Sequence, residues 1–168
     1  LRGKNAVITG SSKGLGKSIA TAMALHGANV VISSRKADVC QSTADEINNL
    51  DTPPLYGEKG NAVVIPCNIS DKTALEMLVE ESRSQLGKID ILVCNAASNP
   101  FFGSIKDIPD DAFEKIMNNN IKSNHNLCQM VIPEMIERKD GCIIVVSSIG
   151  GLNASPVIGA YNISKAAD

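Results

Sequence analysis

Short apolar runs recur along the chain, and each is bounded by glycine, proline or polar residues. They are rich in valine and isoleucine and mostly do not alternate with polar residues, which is the pattern of parallel strands covered on both faces. The predicted strands are Asn5–Thr9, Asn29–Ser33, Ala62–Cys67, Ile89–Cys94 and Cys142–Ser147.

Helical patterns fill the gaps between these runs. Five positions after the first strand have the spacing of one buried helix face: Leu15, Ile19, Ala22, Met23 and His26. Gly27 follows them at the position of a helix C-cap. The further predicted helices are Ala37–Leu50, Lys72–Leu86, Asp110–Arg138 and one that begins near Ala160. Ser70 or Asp71 should cap the second of these, and Pro133 should kink or weaken the third.

Strands that alternate with helices predict a parallel sheet with right-handed crossovers. The length of 168 residues fits a single domain, 1–168. The segment Asp51–Gly60 is dense in proline and glycine, so we expect a surface loop without chemistry there.

Charge and cysteine usage exclude several classes of protein. The chain has 16 basic and 18 acidic residues, so it has no overall basic field to hold nucleic acid or an anionic membrane. No apolar run reaches the roughly 18 residues that a membrane helix needs. The 5 cysteines are odd in number and form no C-x-x-C pair, which argues against a disulfide framework or a zinc site. Free cysteines packed as small hydrophobic residues indicate a reducing compartment.

The first candidate site is the turn Thr9–Gly16, which reads TGSSKGLG and follows the first strand. Gly10 permits a tight turn, Gly14 permits close approach of a phosphate, and Gly16 lets the helix pack against the strand. The N-terminus of that helix offers free N–H groups and a positive dipole end to a pyrophosphate. In this context the spacing predicts a dinucleotide site, with an ordinary glycine-rich turn as the alternative.

The residues after the second strand indicate which nucleotide binds. NAD sites place an acid about 20 residues after the glycines, whereas this chain has Ser34, Arg35 and Lys36 there and no acid before Asp38. Arg35 would pair with a 2′-phosphate through its planar guanidinium. Lys13 opposes the helix dipole unless an anion docks beside it. We therefore expect NADP(H) rather than NAD(H), the alternative being that both cations are solvated surface charges.

The second candidate site lies near the end of the chain. Tyr161 and Lys165 are four residues apart, so a helix places both on one face. An ammonium group beside a tyrosine lowers a pKa that is about 10 in the free side chain, so that the tyrosine exchanges a proton near neutral pH. Ser148 follows the fifth strand and can donate a hydrogen bond to a substrate oxygen at the edge where open α/β sheets bind ligands.

With these motifs the chain resembles the short-chain dehydrogenase/reductase family over essentially its whole length. The matching pieces are Thr9–Gly16, Asn95–Ala97, Asn120 within NNNIKS, Ser148, and Tyr161 with Lys165. The resemblance implies an α/β fold of the Rossmann type, with a doubly wound parallel sheet in three layers that lacks its last strands. We expect the chain to be the cofactor-binding and catalytic two-thirds of a longer enzyme.

The resemblance also implies roles for individual residues. Tyr161 would be the general acid/base, Ser148 would polarise the carbonyl or alcohol, and Lys165 would lower the tyrosine pKa and hold the nicotinamide ribose. Asn120 would position a water that connects Lys165 to a proton relay. No metal is expected. The implied cofactor contacts are Gly10, Ser12, Lys13, Gly14, Leu15, Gly16, Ser34, Arg35, Asn68, Ile69, Asn95, Ala96, Tyr161 and Lys165.

Two positions depart from the pattern of the family. Asn68 stands where members usually carry an acid, and Cys94–Ala97 replaces the Asn-Asn-Ala-Gly stretch of many members. Within the family, Ser33–Lys36 and Asn99–Ser104 look most like NADP-dependent carbonyl reductases of the peroxisomal retinol dehydrogenase type and their bacterial relatives. Phe101 and Phe102, in the second segment, either pack on an apolar substrate or close the core.

The expected function is hydride transfer between NADP(H) and a ketone, aldehyde or secondary alcohol. Enoyl-CoA reduction and a non-catalytic NADP(H)-binding role are the alternatives, and the intact set of Asn120, Ser148, Tyr161 and Lys165 favours an enzyme. We expect a homo-oligomer, dimer or tetramer, in the cytoplasm, or in the peroxisome if a C-terminal signal follows. The fragment alone should be inactive or poorly stable, because its fifth strand would be an unpaired edge.

Overall fold

A computed structural model describes residues 1–52, 54 and 57–168. The strands of this part are β1 (Asn5–Thr9), β2 (Asn29–Ser33), β3 (Ala62–Val64), β4 (Ile91–Cys94) and β5 (Cys142–Val145). Its α-helices are α1 (Gly14–Leu25), α2 (Ala37–Asn48), α3 (Lys72–Leu86), α4 (Asp110–Met117), α5 (Ser123–Arg138) and α6 (Gly159–Ala166).

The strands form one sheet in the order β3-β2-β1-β4-β5, and every pair of neighbours is parallel. The order reverses between β1 and β4, because the chain first moves outward to β3 and then crosses back to the other side of β1. In open α/β sheets this reversal leaves a crevice at the carboxyl ends of the strands. The predicted Rossmann-type α/β fold is confirmed.

Apolar side chains cover both faces of the sheet. Ile8 and Ile32 face a layer that contains buried residues of α1 and α2, whereas Val7 and Leu92 face buried residues of α3 and α5. Successive strand residues point to opposite faces, so a sheet buried on both sides needs continuous apolar strands. This arrangement explains why the runs in the sequence do not alternate.

The buried face of α1 differs from the predicted one. Leu15 is 70% exposed, and Ala22 is exposed as well. The buried residues of the helix are instead Gly16, Ala20 and Ala24. These residues are small and let the helix backbone approach the sheet closely, with Ile19 and Met23 packing partly buried at the flank. The prediction was wrong because it ranked positions by hydrophobic size and took no account of close approach.

The predicted helix Asp110–Arg138 is two α-helices joined by a π-helical turn. The turn comprises Asn118–Lys122, between α4 and α5. Asn119 and Asn120 are buried within it, although asparagine is usually exposed. Helix α5 continues through Pro133. The change from α-helical to π-helical hydrogen bonding therefore occurs at the asparagines and not at the proline.

Several element ends differ from the predicted ones by one to three residues. The assigned β3 ends at Val64, although the chain remains alongside β2 as far as Cys67, whose N–H donates to the Ser34 carbonyl over 3.0 Å. Asp71, and not Ser70, caps α3 by accepting the Thr73 N–H over 2.9 Å. The predicted loop Asp51–Gly60 includes residues 53, 55 and 56, which lie outside the described part.

β5 lies at an edge of the sheet and, within the described residues, pairs only with β4. Cys142 and Ile144 on this strand are exposed. Cys142 therefore does not share the buried environment of Cys67 and Cys94, so not every free cysteine is packed as a small hydrophobic residue, as the sequence analysis had expected. No helix in the described ranges combines the length and the apolar character that crossing a membrane requires.

Candidate active site

A cavity of about 810 Å³ lies at the carboxyl ends of the strands, where their order reverses between β1 and β4. Apart from Tyr161 and Lys165, every predicted cofactor contact lines this cavity. These residues are Gly10, Ser12, Lys13, Gly14, Leu15, Gly16, Ser34, Arg35, Asn68, Ile69, Asn95 and Ala96. The turns that follow β1, β2 and β4, together with the segment beyond β3, supply them.

The glycine-rich turn has a backbone that other residues would strain. Gly10 has φ +66° and Gly14 has φ +55°, values in the left-handed region that favours glycine. A Cβ on Gly16 would lie 2.4 Å from the Gly10 carbonyl oxygen. Lys13 precedes α1 without any side-chain cap, and the first turn holds no acid. The first N–H groups of this helix are therefore free to bind an anion.

Thr9 and Asn95 fasten the glycine turn to the end of β4. The Asn95 side-chain amide donates to the carbonyls of Thr9, over 2.9 Å, and Gly10, over 3.3 Å. The Thr9 hydroxyl accepts the N–H groups of Asn95 and Ala96, both over 3.1 Å. Asn95 thus lines the cavity while its amide N–H groups hold the turn.

Two cations stand beside this turn. Lys13 and Arg35 are exposed, and neither forms an ion pair with another residue of the described part. Lys17, one turn further along α1, is by contrast paired with Glu46 on α2. Both cavity cations are therefore available to an anionic ligand.

Asn68 and Ile69 form the wall of the cavity beyond β3. The Asn68 side-chain oxygen accepts the Ser70 hydroxyl over 2.8 Å and the Ser70 N–H over 3.3 Å. The Ser70 carbonyl in turn accepts the Asn118 amide over 3.1 Å. The oxygen of Asn68 is thus engaged in the turn, and its amide N–H₂ group is left for the cavity.

Asn120 is fully buried, and its side chain joins two segments of the chain. Its oxygen accepts the Ser98 N–H over 2.8 Å, and its amide donates to the Ser98 carbonyl over 3.0 Å and to the Ser164 hydroxyl over 2.9 Å. The π turn directs Asn120 inward, between the loop after β4 and helix α6. Ser98 and Ser164 were missed by the sequence analysis, because only the tertiary fold brings them beside Asn120.

The three other proposed catalytic residues lie on or before α6. Ser148 begins a short 3₁₀ turn, and its hydroxyl accepts the Gly150 N–H over 3.1 Å. Tyr161 is half-buried and lines a small cleft with Phe101 and Ile158. Among the described residues its hydroxyl has no hydrogen-bond partner, so the structure does not join it to Ser148 or to Lys165.

Lys165 has partners that the sequence analysis did not name. Its ammonium group donates to the Val146 carbonyl over 2.8 Å and to the Asp168 carboxylate over 2.7 Å. The Lys165 and Asp168 side chains are 3% and 4% exposed. The spacing of three residues on a helix was the available signal for this pair.

The remaining candidates do not add a second site. Phe102 is 78% exposed, whereas Phe101 packs its ring over Gly103.

Burial raises the pKa of the Cys94 thiol to about 12 and that of the Cys67 thiol to about 11, so both are protonated at neutral pH. Across the ranges 1–52, 54 and 57–168, no three His, Cys, Asp or Glu side chains are grouped as a metal site would need.

A family model described as short chain dehydrogenase matches residues 4–168. The chain belongs to the short-chain dehydrogenase family. This confirms the resemblance that was drawn from the glycine turn and from the Ser–Tyr–Lys set.

Curated relatives align with 99% of the chain. Dehydrogenase/reductase SDR family member 4 of Bos taurus is 38% identical over 167 residues, which is 99% of this chain and 57% of that protein. The human mitochondrial dehydrogenase/reductase SDR family member 2 is 37% identical over 99% of this chain and 56% of its own length. The chain therefore spans a little more than half the length of these relatives.

Solved structures of the family share this fold. A 7α-hydroxysteroid dehydrogenase complexed with NADH and 7-oxo glycochenodeoxycholic acid has a TM-score of 0.90 and 36% identity, covering 99% of this chain and 62% of its own. A short-chain type dehydrogenase/reductase from Mycobacterium marinum has a TM-score of 0.88 and 32% identity, with coverage of 99% and 65%.

Proposed function

We propose that the protein is an oxidoreductase that transfers hydride between NADP(H) and a carbonyl compound or secondary alcohol. The observation that carries the proposal is the cavity at the β1/β4 reversal, lined by the glycine turn and by Lys13 and Arg35. Family membership adds support, as does the neighbour that is complexed with NADH and a 7-oxo steroid.

The cavity fits a dinucleotide in shape and in donor chemistry. Gly16 leaves no space for a Cβ beside the Gly10 carbonyl, and the uncapped N-terminus of α1 would bind the pyrophosphate. Arg35 and Lys13 would bind a 2′-phosphate, which is the basis for proposing NADP(H) over NAD(H). The bound nicotinamide would supply the site of hydride gain and loss.

The proposed chemistry needs one proton donor and one orienting hydrogen bond from the chain. Tyr161 would transfer its phenolic proton to the substrate oxygen during reduction and would accept it back during oxidation. Ser148 would donate its hydroxyl hydrogen to that same oxygen, since the Gly150 N–H already binds the serine oxygen from the other side. Lys165 would stabilise the tyrosinate by its charge. In this proposal, Asn120 holds α6 against the loop after β4.

A non-catalytic role in NADP(H) binding is the second candidate. The observation that favours it is the pairing of the Lys165 ammonium with Asp168 and Val146, without a bond to Tyr161. Reduction of enoyl-CoA thioesters remains a further alternative for the substrate. We also propose that residues 1–168 form a single domain, and that the protein is a homo-oligomer.

The test combines binding with turnover. NADPH and NADH affinities are measured by isothermal titration calorimetry, and NADPH oxidation is screened over ketones, aldehydes and enoyl-CoA thioesters. Tyr161→Phe should abolish turnover and leave NADPH affinity within about twofold, since the loss of one hydroxyl contact is a small part of the binding free energy. Tyr56→Phe makes the same chemical change at the other tyrosine of the chain and serves as the control. Full activity in Tyr161→Phe would contradict the catalytic proposal.

A further inference from the structure

Helix α2 contacts two segments of the cavity wall through buried side chains. Thr43 is 2% exposed, and its hydroxyl donates to the Ser12 carbonyl over 2.9 Å. Cys40 is buried as well. Its sulfur lies 3.1 Å from the Ser34 hydroxyl oxygen and 3.7 Å from the Ser34 carbonyl, to which the thiol donates. Residues three apart on a helix share a face, so one face of α2 holds both serines.

Each of these serines directly precedes a cation of the cavity. Ser12 is followed by Lys13 and Ser34 by Arg35, and all four residues line the cavity. A planar peptide unit joins each serine to the next Cα atom. The contacts of α2 therefore fix the points from which both cationic side chains extend, although the two cations lie on different turns of the chain.

Thr43 holds the last residue before the cation of the glycine turn. Ser11 is bound to β2, because its N–H donates to the Ser33 carbonyl over 3.1 Å and its hydroxyl accepts the Ser33 N–H over 2.8 Å. Among the described residues, only the Thr43 hydroxyl donates to the Ser12 carbonyl. Lys13, the next residue, has no side-chain cap. Loss of the Thr43 hydroxyl would thus leave the peptide between Ser12 and Lys13 held only by its neighbours along the chain.

We propose that Thr43 is a positioning residue that sets the preference for NADP(H), because it places Lys13 where this side chain and Arg35 bind one 2′-phosphate together. Cys40 holds the Arg35 side of the same pair. This inference rests on the proposed function, since only a nucleotide with a 2′-phosphate makes the spacing of the two cations matter. A phosphate that accepts hydrogen bonds from two cations requires both within reach, so a displaced Lys13 loses its contact while Arg35 keeps its own.

Thr43→Val tests the contact, because valine keeps the branched shape of threonine and lacks the hydroxyl. Affinities of the full chain for NADPH and NADH are measured by isothermal titration calorimetry. The variant should bind NADPH about fivefold more weakly and NADH less than about twofold more weakly, since the contribution at stake is that of about one hydrogen bond. Thr43→Ser keeps the hydroxyl and should restore the parent ratio of the two affinities. An unchanged ratio in a folded Thr43→Val protein would overturn the proposal, as would equal weakening of both nucleotides.

Thr21→Val is the matched control on α1. The Thr21 hydroxyl also donates to a backbone carbonyl over 2.9 Å, that of Lys17. In the described part of the chain, Thr21 is not among the residues that line the cavity. The ratio of NADPH to NADH affinity should therefore stay at the parent value. A fall of this ratio as large as that in Thr43→Val would show a general effect of losing a hydroxyl and would overturn the proposal.

A double-variant cycle determines whether Thr43 acts through Lys13. Lys13→Ala should itself lower the ratio of NADPH to NADH affinity. Adding Thr43→Val to it should change the ratio by less than about twofold, because the cation that Thr43 positions is already absent. An effect of Thr43→Val that is the same with and without the Lys13 side chain would overturn the proposal.

Cys40→Ala provides a test that does not depend on the Thr43 variant folding. It removes the contact with Ser34 and so acts on the Arg35 side of the pair. The ratio of NADPH to NADH affinity should fall by a smaller factor than in Thr43→Val, since a thiol forms weaker hydrogen bonds than a hydroxyl. A parent ratio in the folded Cys40→Ala protein would overturn the role of α2 in holding the two cations.

Turnover separates this positioning from the proposed chemistry. With a carbonyl substrate in excess, Thr43→Val should raise the KM for NADPH about fivefold and leave kcat within about twofold, because the contact acts on binding and not on hydride transfer. If the parent oxidises NADPH and the affinity ratio is independent of Thr43, the positioning role fails and the proposed function stands. If the parent binds NADPH without turning over any substrate, and the ratio still depends on Thr43, the proposed oxidoreductase activity fails and the positioning role stands. A parent chain with affinity for neither nucleotide overturns both.

Discussion

The side-chain amide of Asn95 lies 2.6 Å from the point that a Cβ on Gly16 would occupy. The same amide donates to the carbonyls of Thr9 and Gly10, so it holds the start of the turn in place. Helix α1 can therefore pack closely against the end of β1 because Gly16 has no side chain and because the Asn95 amide bridges the carbonyls of the turn. This relationship connects the family motif after β1 with the segment after β4.

Gly16→Ala should lower the free energy of unfolding by about 1–3 kcal/mol, because overpacking against a backbone carbonyl forces the turn to shift. Urea denaturation measures the change, and NADPH titration should show weaker binding by the distorted turn. Gly14→Ala is the matched control. Within the part of the chain that the structure describes, no atom lies within 4 Å of a Cβ at Gly14, so only the left-handed backbone strain of about 1–2 kcal/mol remains there. A Gly14→Ala protein that loses as much stability as Gly16→Ala would contradict the crowding argument.

Arg35→Asp should weaken NADPH binding at least about tenfold and change NADH binding much less, since a charge-assisted hydrogen bond to the 2′-phosphate is lost and a repulsion added. Calorimetric titration with both nucleotides measures the ratio of the two affinities. Lys36→Asp introduces the same charge change at the next residue, which does not line the cavity. If the Arg35→Asp protein kept the same ratio of NADPH to NADH affinity as the parent, Arg35 would have no part in recognising the 2′-phosphate.

Asn120→Ala should destabilise the protein by about 2–4 kcal/mol, because the N–H and C=O groups of Ser98 lose their side-chain partner and the Ser164 hydroxyl keeps only its bond to the Tyr161 carbonyl. Ser164→Ala removes one of these contacts and should cost about 1 kcal/mol. Urea denaturation of both single variants and the double variant gives their coupling energy. Additive losses would show that the hydrogen bond from Asn120 to Ser164 contributes nothing to stability.

Stability should fall in alkaline solution because of two buried thiols. Burial raises the pKa of Cys94 to about 12 and of Cys67 to about 11, whereas an unfolded thiol titrates near about 8.5. Between these values the unfolded chain binds fewer protons than the folded one, so the free energy of unfolding decreases as pH rises. The contribution is fully present below about pH 8.5 and is lost by pH 11 to 12.

Urea denaturation from pH 8 to 11 measures this slope. Cys94→Ala should make it shallower, whereas Cys142→Ala, at an exposed position, should leave it as it is. A parent protein whose stability is level over this range would contradict the burial of the thiols.

Part of the candidate site could be predicted because its chemistry is local in sequence. The glycine turn is a run of eight residues, Thr9–Gly16, and its backbone requirement follows from steric limits on single residues. Arg35 could be predicted as a candidate for a similar reason, because its position two residues beyond the end of β2 can be read from the local sequence. The outcome for α1 shows the limit, because the choice of Gly16 over Leu15 as the buried residue depends on the distance between helix and sheet.

The contacts of Asn120 and Lys165 show what sequence patterns cannot supply. Asn120 meets Ser98 and Ser164, which are 22 and 44 residues away, and a π turn that no periodicity revealed directs it there. Lys165 has the predicted spacing to Tyr161, yet its ammonium group binds Val146 and Asp168 instead. A shared helix face permits a contact, and the competing partners on neighbouring elements decide whether it forms.

By itself the sequence determined the layered α/β class, because strands buried on both faces must be apolar throughout and helices between them must cover those faces. It also determined where the chain takes up the left-handed backbone of the turn after β1, since glycine is the residue that tolerates that backbone. The tertiary structure alone decided which buried polar groups become partners. Burying a charge or an amide is unfavourable unless the group forms hydrogen bonds, and only the fold brings its partners within hydrogen-bonding distance.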